Sequence, residues 1–393
     1  MAGHGSGKLS SRERILGTIE NRAVDYTPCS FMLYHQLAGK SANQEEFVRR
    51  QLEMGLDPFV SAGHLKHSVH PDVRCEVTVT DEGGTRFFRR TYHTPAGPLT
   101  QKLEQMHGYP DGNEFPLFHD YNVPRAKEVL VKPEQDLEKV KYLFGPARKE
   151  DIARLREESA ANRKIADKHG LPVVAGQIGY TTAWIMGVDA MAWLSGYEDV
   201  MMLSLTQPDL VREYADIINR WNLEQIEIFL DVADPDILVR RAWYETTEFW
   251  TPEAYQHIIA PGLRRECELV HKAGKKYGYV ITSAFLPLLD AILDTGIDVL
   301  VGLDPKEGKG TDLGVVKSKF SERKRTLWGG VSGAITVEMG TEAETEAEVR
   351  TAMEALGRDG GLILSPVDNV IEDTETTSRN VRRFVETWKQ CRG

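Results

Sequence analysis

The chain alternates between short apolar runs and longer amphipathic stretches over most of its length. Eight runs have the length and composition of strands covered on both faces. They lie at about 29–33, 57–63, 171–177, 236–242, 276–282, 298–304, 326–332 and 361–367. Helical patterns separate them, and the alternation predicts a (β/α)8 TIM barrel. The alternative is a doubly wound open sheet, but no GxGxxG motif or P-loop follows any of these runs.

Two segments depart from this alternation. Residues 73–103 alternate apolar and polar positions around the glycine pair of "DEGG", which predicts an antiparallel β-hairpin inserted between barrel units. Ser10 and Ser11 precede an apolar-periodic stretch and can cap it, so we expect an N-terminal helical extension. Residues 1–10 are rich in Gly and Ser and are expected to be a disordered leader. Residues 11–393 then form a single barrel domain.

The overall composition narrows the class of protein. A net charge of −11 argues against nucleic acid or an anionic membrane as the main partner. No apolar run is long enough to cross a bilayer, and the N-terminus lacks the apolar core of a signal peptide. Four cysteines without paired spacing fit a reducing compartment, so we expect a cytoplasmic protein.

Polar and aromatic side chains follow the predicted strands. In a barrel, the C-terminal ends of the strands converge on one mouth, which makes these side chains candidates for a site that binds a small, aromatic or methylated molecule. The catalytic candidates are His64, Glu245, His35 and Asn369. The candidates for substrate binding are Tyr34, Gln177, Tyr180, Trp184, Trp243, Tyr244, Asp304 and Asp368.

The histidines after the second run and one glutamate offer specific chemistry. His64 and His67 belong to a series spaced by three residues, and histidine serves as an acid, a base or a metal ligand. If a metal binds, we expect His64, His67 and Glu245 as ligands, although the spacing matches no zinc signature. A carboxylate between aromatic residues, such as Glu245, would have a raised pKa and could move protons. The alternative is that Glu245 caps a turn or pairs with Arg240 or Arg241.

Several segments together resemble the uroporphyrinogen decarboxylase superfamily, which includes corrinoid- and coenzyme M-linked methyltransferases. They are "RERILGTIENRAVDYTP", "TPAGPLTQK", "VKPEQDLEKVKYL", "FWTPEAYQHIIAPGLRRECELVHKAGKK", "ILDTGIDVLVGLDPKEGKGTDLGVVKSKF", "LWGGVSG" and "GGLILSPVDNVI". The resemblance extends from about residue 11 to 388 and implies a barrel fold. The hairpin and the "KPEQDLEKV" element are closer to the methyltransferase-type branch than to the porphyrin enzyme.

The chain departs from both known activities of the superfamily. The resemblance implies arginines in the first strand-end loop of a true uroporphyrinogen decarboxylase, whereas "FMLYHQLAGK" has none. It also implies a histidine at the last strand end, where Asn369 stands. The His-x-Cys and Cys zinc ligands of the thiol-activating enzymes correspond to 282–284 and 332–333, which hold no Cys or His. We therefore expect neither uroporphyrinogen as substrate nor a His-x-Cys zinc-thiolate site.

Three functions follow from these expectations. The first is transfer of a methyl group from a small methoxylated or N-methylated compound to a corrinoid carried by a partner protein, with His64 or His35 and Glu245 assisting the leaving atom. The second is cofactor-independent decarboxylation of a small carboxylic acid other than uroporphyrinogen. The third is a non-catalytic binding barrel. The sequence leaves open the substrate, a bound metal and the oligomeric state, with a homodimer among the alternatives.

Overall fold

The strands form two separate sheets. The structure, a computed structural model, describes residues 8–105, 116–183, 185–307 and 311–392. Its strands are β1 Val60–Ser61, β2 Arg74–Glu82, β3 Thr85–Thr94, β4 Gly97–Gln105, β5 Ala126–Glu128, β6 Val173–Gly176, β7 Ile237–Arg241, β8 Lys276–Val280, β9 Val299–Leu303, β10 Thr326–Ser332 and β11 Leu362–Val367. A seven-stranded parallel sheet has the order β1-β6-β7-β8-β9-β10-β11, and a four-stranded antiparallel sheet has the order β2-β3-β4-β5. The predicted mixed α/β class is confirmed.

The first predicted strand is present only as isolated bridges. Cys29 pairs with Leu364, and Leu33 pairs with Asn369, both in parallel. The segment therefore runs beside β11 without the continuous pairing of a strand. The closed eight-stranded barrel accordingly stays a prediction, while seven of its eight strands are observed in one parallel sheet.

Helices connect the parallel strands. The described helices are α1 Ser11–Ile19, α2 His35–Ala38, α3 Gln44–Met54, α4 Asn122–Arg125, α5 Pro133–Val140, α6 Lys149–His169, α7 Asp189–Ser195, α8 Tyr197–Thr206, α9 Pro208–Val232, α10 Pro252–Ala254, α11 Ala260–Lys272, α12 Leu289–Leu293, α13 Leu313–Glu322, α14 Glu342–Ala352 and α15 Glu375–Cys391. Short 3₁₀ turns cover Lys141–Leu143 and Leu286–Leu288, and π-helical turns cover Tyr255–Ile259, Gly333–Glu338 and Met353–Gly357. No helix in the described ranges is both long and apolar enough to cross a membrane.

The N-terminal helix begins at a capping box. The Ser10 hydroxyl accepts a hydrogen bond from the backbone N–H of Glu13, and the Glu13 side chain accepts one from the Ser10 backbone. Such a cap contributes about 1 kcal/mol to helix stability. α1 then buries Ile15 and Ile19 against the parallel sheet. The predicted helical extension is present, Ser10 of the predicted leader belongs to its cap, and residues 1–7 lie outside the described residues.

The predicted hairpin is part of a larger sheet. β2 and β3 pair without a break from Arg74↔His93 to Glu82↔Thr85. Gly83 and Gly84 form the turn with φ of 65° and 86°, a left-handed conformation that favours glycine. β4 and β5 continue the pairing, so the inserted unit has four antiparallel strands rather than two.

Alternate side chains of the parallel strands belong to two different cores. On β7, Ile237 and Val239 join a cluster to which β6, β7, β8, β9, β10 and β11 all contribute. We call this shared side the inner face of the sheet. Leu238 joins the larger cluster that packs against the helices. Because strand side chains alternate, the two arginines that end β7 lie on opposite faces, with Arg241 on the inner one.

Candidate active site

A cavity of about 590 Å³ lies where the parallel strands end. Gln177 follows β6, Arg241 ends β7 and Asp368 follows β11, so the lining comes from the edge where a parallel α/β fold places its sites. The cavity is lined by Leu33, His35, Phe118, His119, Asp120, Gln177, Tyr180, Thr182, Trp193, Arg241, Trp243, Tyr244, Asp368 and Asn369.

Arg241 is the cation of this cavity lining. Arg241 is only 9% exposed, and its guanidinium carbon lies 4.7 Å from the ring centres of both Trp193 and Trp243. The ring of Tyr244 is 5.3 Å away. Aromatic faces attract a guanidinium and exclude water from it, which holds the group in place and strengthens its interactions with a bound ligand.

Asp120 ties the inserted segment to the end of β7. Its Oδ1 accepts hydrogen bonds from the hydroxyl of Tyr244 at 2.5 Å, from the indole N–H of Trp193 at 2.8 Å and from Nη2 of Arg241 at 3.2 Å. The carboxylate keeps more than half of its surface exposed, at 58%. Three donors on one oxygen fix the carboxylate while leaving it accessible to a ligand.

Asn369 determines the protonation pattern of His35. The backbone N–H of His35 donates to Oδ1 of Asn369 at 3.2 Å, which identifies the other side-chain atom as the amide donor. That Nδ2 lies 2.6 Å from Nδ1 of His35, so Nδ1 must accept and a neutral ring carries its proton on Nε2. Burial lowers the pKa of His35 from 6.5, opposed by the charge of Asp368. His35 is therefore a neutral hydrogen-bond donor at pH 7.

Asp368 adopts a backbone conformation that is uncommon for a residue with a side chain. Its φ is 63°, a left-handed value that Asp tolerates better than most residues. Burial raises its pKa, with Asp120 and Asp304 adding to the rise and Arg241 opposing it. Non-glycine residues with such backbone strain concentrate at functional sites.

Gln177 brings an unpaired acceptor to the cavity. Its Oε1 is buried and has no hydrogen-bond partner among the described residues. Buried polar atoms are nearly always paired in folded proteins, so an open acceptor beside a cavity is available to an N–H or O–H of a ligand.

The structure brings seven of the predicted site residues into the cavity lining. They are His35, Gln177, Tyr180, Trp243, Tyr244, Asp368 and Asn369. Their positions agree with the strand-end argument, and their individual roles stay predictions. Trp184 lies outside the described residues.

Glu245 does not line the cavity, contrary to its expected place at the mouth. It has no exposed surface, and its Oε1 accepts from Nη2 of Arg240 at 2.5 Å and from the backbone N–H of Val188 at 2.8 Å. The hydroxyl of Tyr279 donates to Oε2 at 2.6 Å. Arg240 also pairs with Glu266 through Nη1 at 3.0 Å. The alternative expectation, a pair with Arg240, is the arrangement observed.

The histidines at 64 and 67 are engaged by backbone rather than by the cavity. Nδ1 of His64 lies 2.9 Å from the carbonyl of Thr182, so this ring supports the loop that delivers Thr182 to the cavity. Nε2 of His67 lies 2.7 Å from the carbonyl of Leu143, and burial lowers the pKa of His67 to about 4. The described part of the chain contains no group of three His, Cys, Asp or Glu side chains placed to hold a metal ion. The conditional set of His64, His67 and Glu245 therefore does not come together.

Tyr34 and Asp304 are also absent from the cavity lining. Tyr34 is 4% exposed, its ring packs 4.9 Å from that of Phe31, and burial raises its pKa. Oδ1 of Asp304 accepts from the backbone N–H groups of Lys306 and Glu307 at 2.7 and 2.9 Å. Tyr34 therefore packs in the core, and Asp304 stabilises a turn. A position at a strand end does not by itself direct a side chain into the cavity.

Arg241 and Asp120 are the two charged residues of the cavity lining that were not among the sequence candidates for ligand contact. Arg241 is the last residue of β7 and was considered only as a partner of Glu245. The alternation along β7 places it on the same face as Val239, so the period of the strand was the available indication. Asp120 lies 121 residues from Arg241 in a segment without a periodic pattern, and no local feature indicates its position.

Comparisons with known proteins agree with this architecture. The model of the family uroporphyrinogen decarboxylase (URO-D) matches residues 120–391, whereas no curated protein matches the chain in sequence. A methyltransferase from Methanosarcina mazei is 17% identical, with 97% of this chain and 99% of that chain covered and a TM-score of 0.59. A B12-independent methionine synthase from Shewanella sp. W3-18-1 is 12% identical, with 93% and 97% covered and a TM-score of 0.46. The first likeness shows a shared fold. Since the family model spans more than half of the chain, the protein belongs to the uroporphyrinogen decarboxylase family.

Proposed function

We propose that this protein is a methyltransferase that removes a methyl group from a small methoxylated or N-methylated compound and passes it to a corrinoid protein. The observation that carries the proposal is the pair formed by His35 and Asn369 at an aromatic-lined cavity. The pair offers a fixed N–H donor beside space for a small ligand. Membership of the URO-D family and a fold shared with a methyltransferase are compatible with this activity.

The chemistry requires help for the leaving atom. When a methyl group departs as a cation equivalent, its oxygen or nitrogen keeps the electron pair of the broken bond. A hydrogen bond to that atom lowers the barrier, because it stabilises charge that develops in the transition state. Nε2–H of His35 supplies this bond in our proposal, and Asn369 keeps the proton on Nε2. The rings of Trp243 and Tyr180 form walls for a planar substrate.

The size of the cavity agrees with a small substrate and a separately carried acceptor. A volume of about 590 Å³ is in the range of sites that hold small molecules. In our proposal the corrinoid therefore stays on its partner protein, where it supplies the methyl acceptor. The thiol-activating zinc chemistry of the superfamily does not fit, because positions 282–284 and 332–333 carry no Cys or His and no described cluster replaces them.

The test compares two cavity histidines. The purified protein is assayed against methoxyarenes and methylamines, with and without a reduced corrinoid protein, and demethylation is expected only with it. His35→Phe is expected to lower kcat by about 100-fold or more, the usual contribution of a positioned acid. His119→Phe changes the second histidine of the lining and serves as the control, with a smaller effect. Absence of turnover across the panel, or equal losses in both variants, would contradict the proposal.

Arg241 favours a second candidate, cofactor-independent decarboxylation of a small carboxylic acid. A guanidinium held between aromatic rings is suited to bind a carboxylate. Asp120 and Asp368 lie in the same lining and disfavour an anionic substrate, which is why we rank this candidate second. Release of CO2 without any corrinoid protein, with KM raised at least about tenfold by Arg241→Gln, would select it.

The closed (β/α)8 barrel is also part of our proposal. The backbone N–H of Asp57, just before β1, donates to the carbonyl of Cys29 at 2.8 Å. On its other side, the backbone N–H of Ser30 donates to the carbonyl of Leu364 in β11 at 2.9 Å. The segment 29–33 thus contacts β11 on one side and the residues that lead into β1 on the other. A crystal structure in which this segment lies apart from β1 would contradict closure.

A further inference from the structure

One edge of the antiparallel sheet is long and open. β2 spans the nine residues Arg74–Glu82, every one of them exposed, and it is the first strand in its sheet order. Within the described residues, no strand pairs with its outer edge. Proteins usually protect such an edge with charged side chains, Pro, a bulge or a short strand. β2 has no Pro and pairs with β3 without a bulge, and its charged residues are Arg74, Glu76, Asp81 and Glu82. Its middle, residues 77–80, carries no charge.

The turn determines which backbone groups face the open edge. Glu82 and Thr85 flank a two-residue loop, and such flanking residues form a hydrogen-bonded pair. Hydrogen-bonded and non-hydrogen-bonded pairs alternate along the strand, so the even-numbered residues of β2 bond to β3. The odd-numbered residues direct their N–H and C=O groups outwards, and they are Cys75, Val77, Val79 and Asp81.

We propose that two copies of this chain form a homodimer by antiparallel pairing of their β2 strands about a two-fold axis at Thr78. In this arrangement Arg74 lies opposite Glu82 of the partner subunit, and Val77 lies opposite the partner's Val79. The outward-facing groups of both strands then form eight hydrogen bonds, two for each odd-numbered pair. The two sheets join into one of eight strands.

The sequence of β2 is complementary to itself in this register. Val77 and Val79 are 47% and 37% exposed, and the pairing brings four valines together on one face. A shift by one residue would set outward groups against groups already bonded to β3. An axis at Glu76 would place Glu76 opposite its own copy. An axis at Val79 would place Glu76 opposite Glu82 of the partner subunit. The axis at Thr78 pairs all nine residues and opposes no like charges.

The surroundings of β2 leave room for a second chain. All nine residues are exposed although they alternate between the two faces of the sheet, so the strand projects from the body of the protein. A Cβ placed at Gly83 or Gly84 would have no neighbouring atom within 4 Å, so the turn is open to solvent. Within their own chain Arg74 pairs with the exposed Glu76, and Glu82 pairs with the partly buried Lys102. Each can interact with the opposite charge of the partner subunit while keeping this pair.

A single cysteine on the axis tests the register. Thr78→Cys in a Cys75→Ser background places two thiols opposite each other at a non-hydrogen-bonded pair, about 4.5 Å apart at Cα, within the range that a disulfide spans. Thr80→Cys in the same background is the control, since its two copies are four residues out of register, about 13 Å apart. Mild oxidation is expected to cross-link the Thr78→Cys variant in high yield and the control hardly at all.

The mass in solution tests the association itself. The native chain is expected to sediment at twice its mass of 44.2 kDa. Val79→Pro removes an outward N–H without removing a bond to β3, so it is expected to raise the dimer dissociation constant at least about tenfold while leaving the thermal unfolding midpoint of the dilute protein unchanged. A monomeric native protein, a dimer that the Thr78→Cys pair does not cross-link, or preferential cross-linking of the control would each overturn the proposal.

Discussion

Substitution of Glu245 tests whether this buried carboxylate stabilises the fold or takes part in catalysis. Glu245 accepts from Arg240, from the backbone of Val188 and from Tyr279, with none of its surface exposed. Glu245→Gln keeps the shape but replaces a charged acceptor by one neutral oxygen and an amide donor that faces the Tyr279 hydroxyl. We expect the free energy of unfolding to fall while activity persists under conditions where the variant is folded.

The magnitude follows from the bonds that change. Hydrogen bonds to charged groups contribute about 1.5–3 kcal/mol each, against about 1 kcal/mol for neutral ones. Weakening two such bonds by at least about 0.5 kcal/mol each and losing a third of at least about 1.5 kcal/mol gives a loss of at least about 2.5 kcal/mol for Glu245→Gln. Glu245→Leu leaves the Val188 N–H and the Tyr279 hydroxyl without this acceptor, and Arg240 keeps only its pair with Glu266. We expect the free energy of unfolding to fall by about 3–5 kcal/mol in this variant.

Equilibrium urea unfolding of the variants measures these losses as shifts of the urea midpoint, provided that the m-value stays constant. Glu248→Gln is the matched control, because this exposed glutamate lies three residues further along the same loop and should change stability by less than about 0.5 kcal/mol. Wild-type stability in Glu245→Gln together with complete loss of activity would refute the structural assignment and restore Glu245 as a catalytic candidate.

Three further predictions concern two histidines and one glycine. The pKa of His67 is lowered to about 4 by burial, so protonation favours the unfolded chain as the pH falls below 6.5. The free energy of unfolding should drop by about 2 kcal/mol between pH 7 and pH 5. His67→Phe should remove this contribution to the pH dependence of the urea midpoint. Nitrogen-15 NMR at pH 7 should show His35 neutral with its proton on Nε2, and Asn369→Leu should raise its pKa; a dominant Nδ1–H form would contradict the tautomer argument. A Cβ at Gly187 would lie 2.0 Å from Oε1 of Glu245, so Gly187→Ala should cost more than about 3 kcal/mol, read from thermal unfolding.

The parallel strands were predictable because each is a short, fully buried run between polar segments. The run expected at 298–304 is β9, Val299–Leu303, and the run expected at 361–367 is β11. The antiparallel unit was only partly predictable. Its two long strands alternate clearly, whereas β5 has three residues and owes its existence to pairing with β4.

The cavity was predictable where a side chain directly follows a strand and turns inwards, as Gln177 and Asp368 do. It was not predictable where the chain turns first. Glu245 follows a turn after β7, and the turn directs its carboxylate back to Arg240. Asp120 reaches the cavity through long-range hydrogen bonds, which leave no trace in a local pattern.

The two adjacent arginines at the end of β7 have separate destinations. The guanidinium of Arg240 is enclosed between the sheet and the helices, and that of Arg241 lies among the rings of the cavity. The alternation along β7 thus places one guanidinium in the packed interior and the next one in the cavity. The two charges are not independent, because Arg241 also pairs with the buried Asp189 at 3.2 Å. A change of the ligand-facing cation would therefore leave that carboxylate without its ion-pair partner.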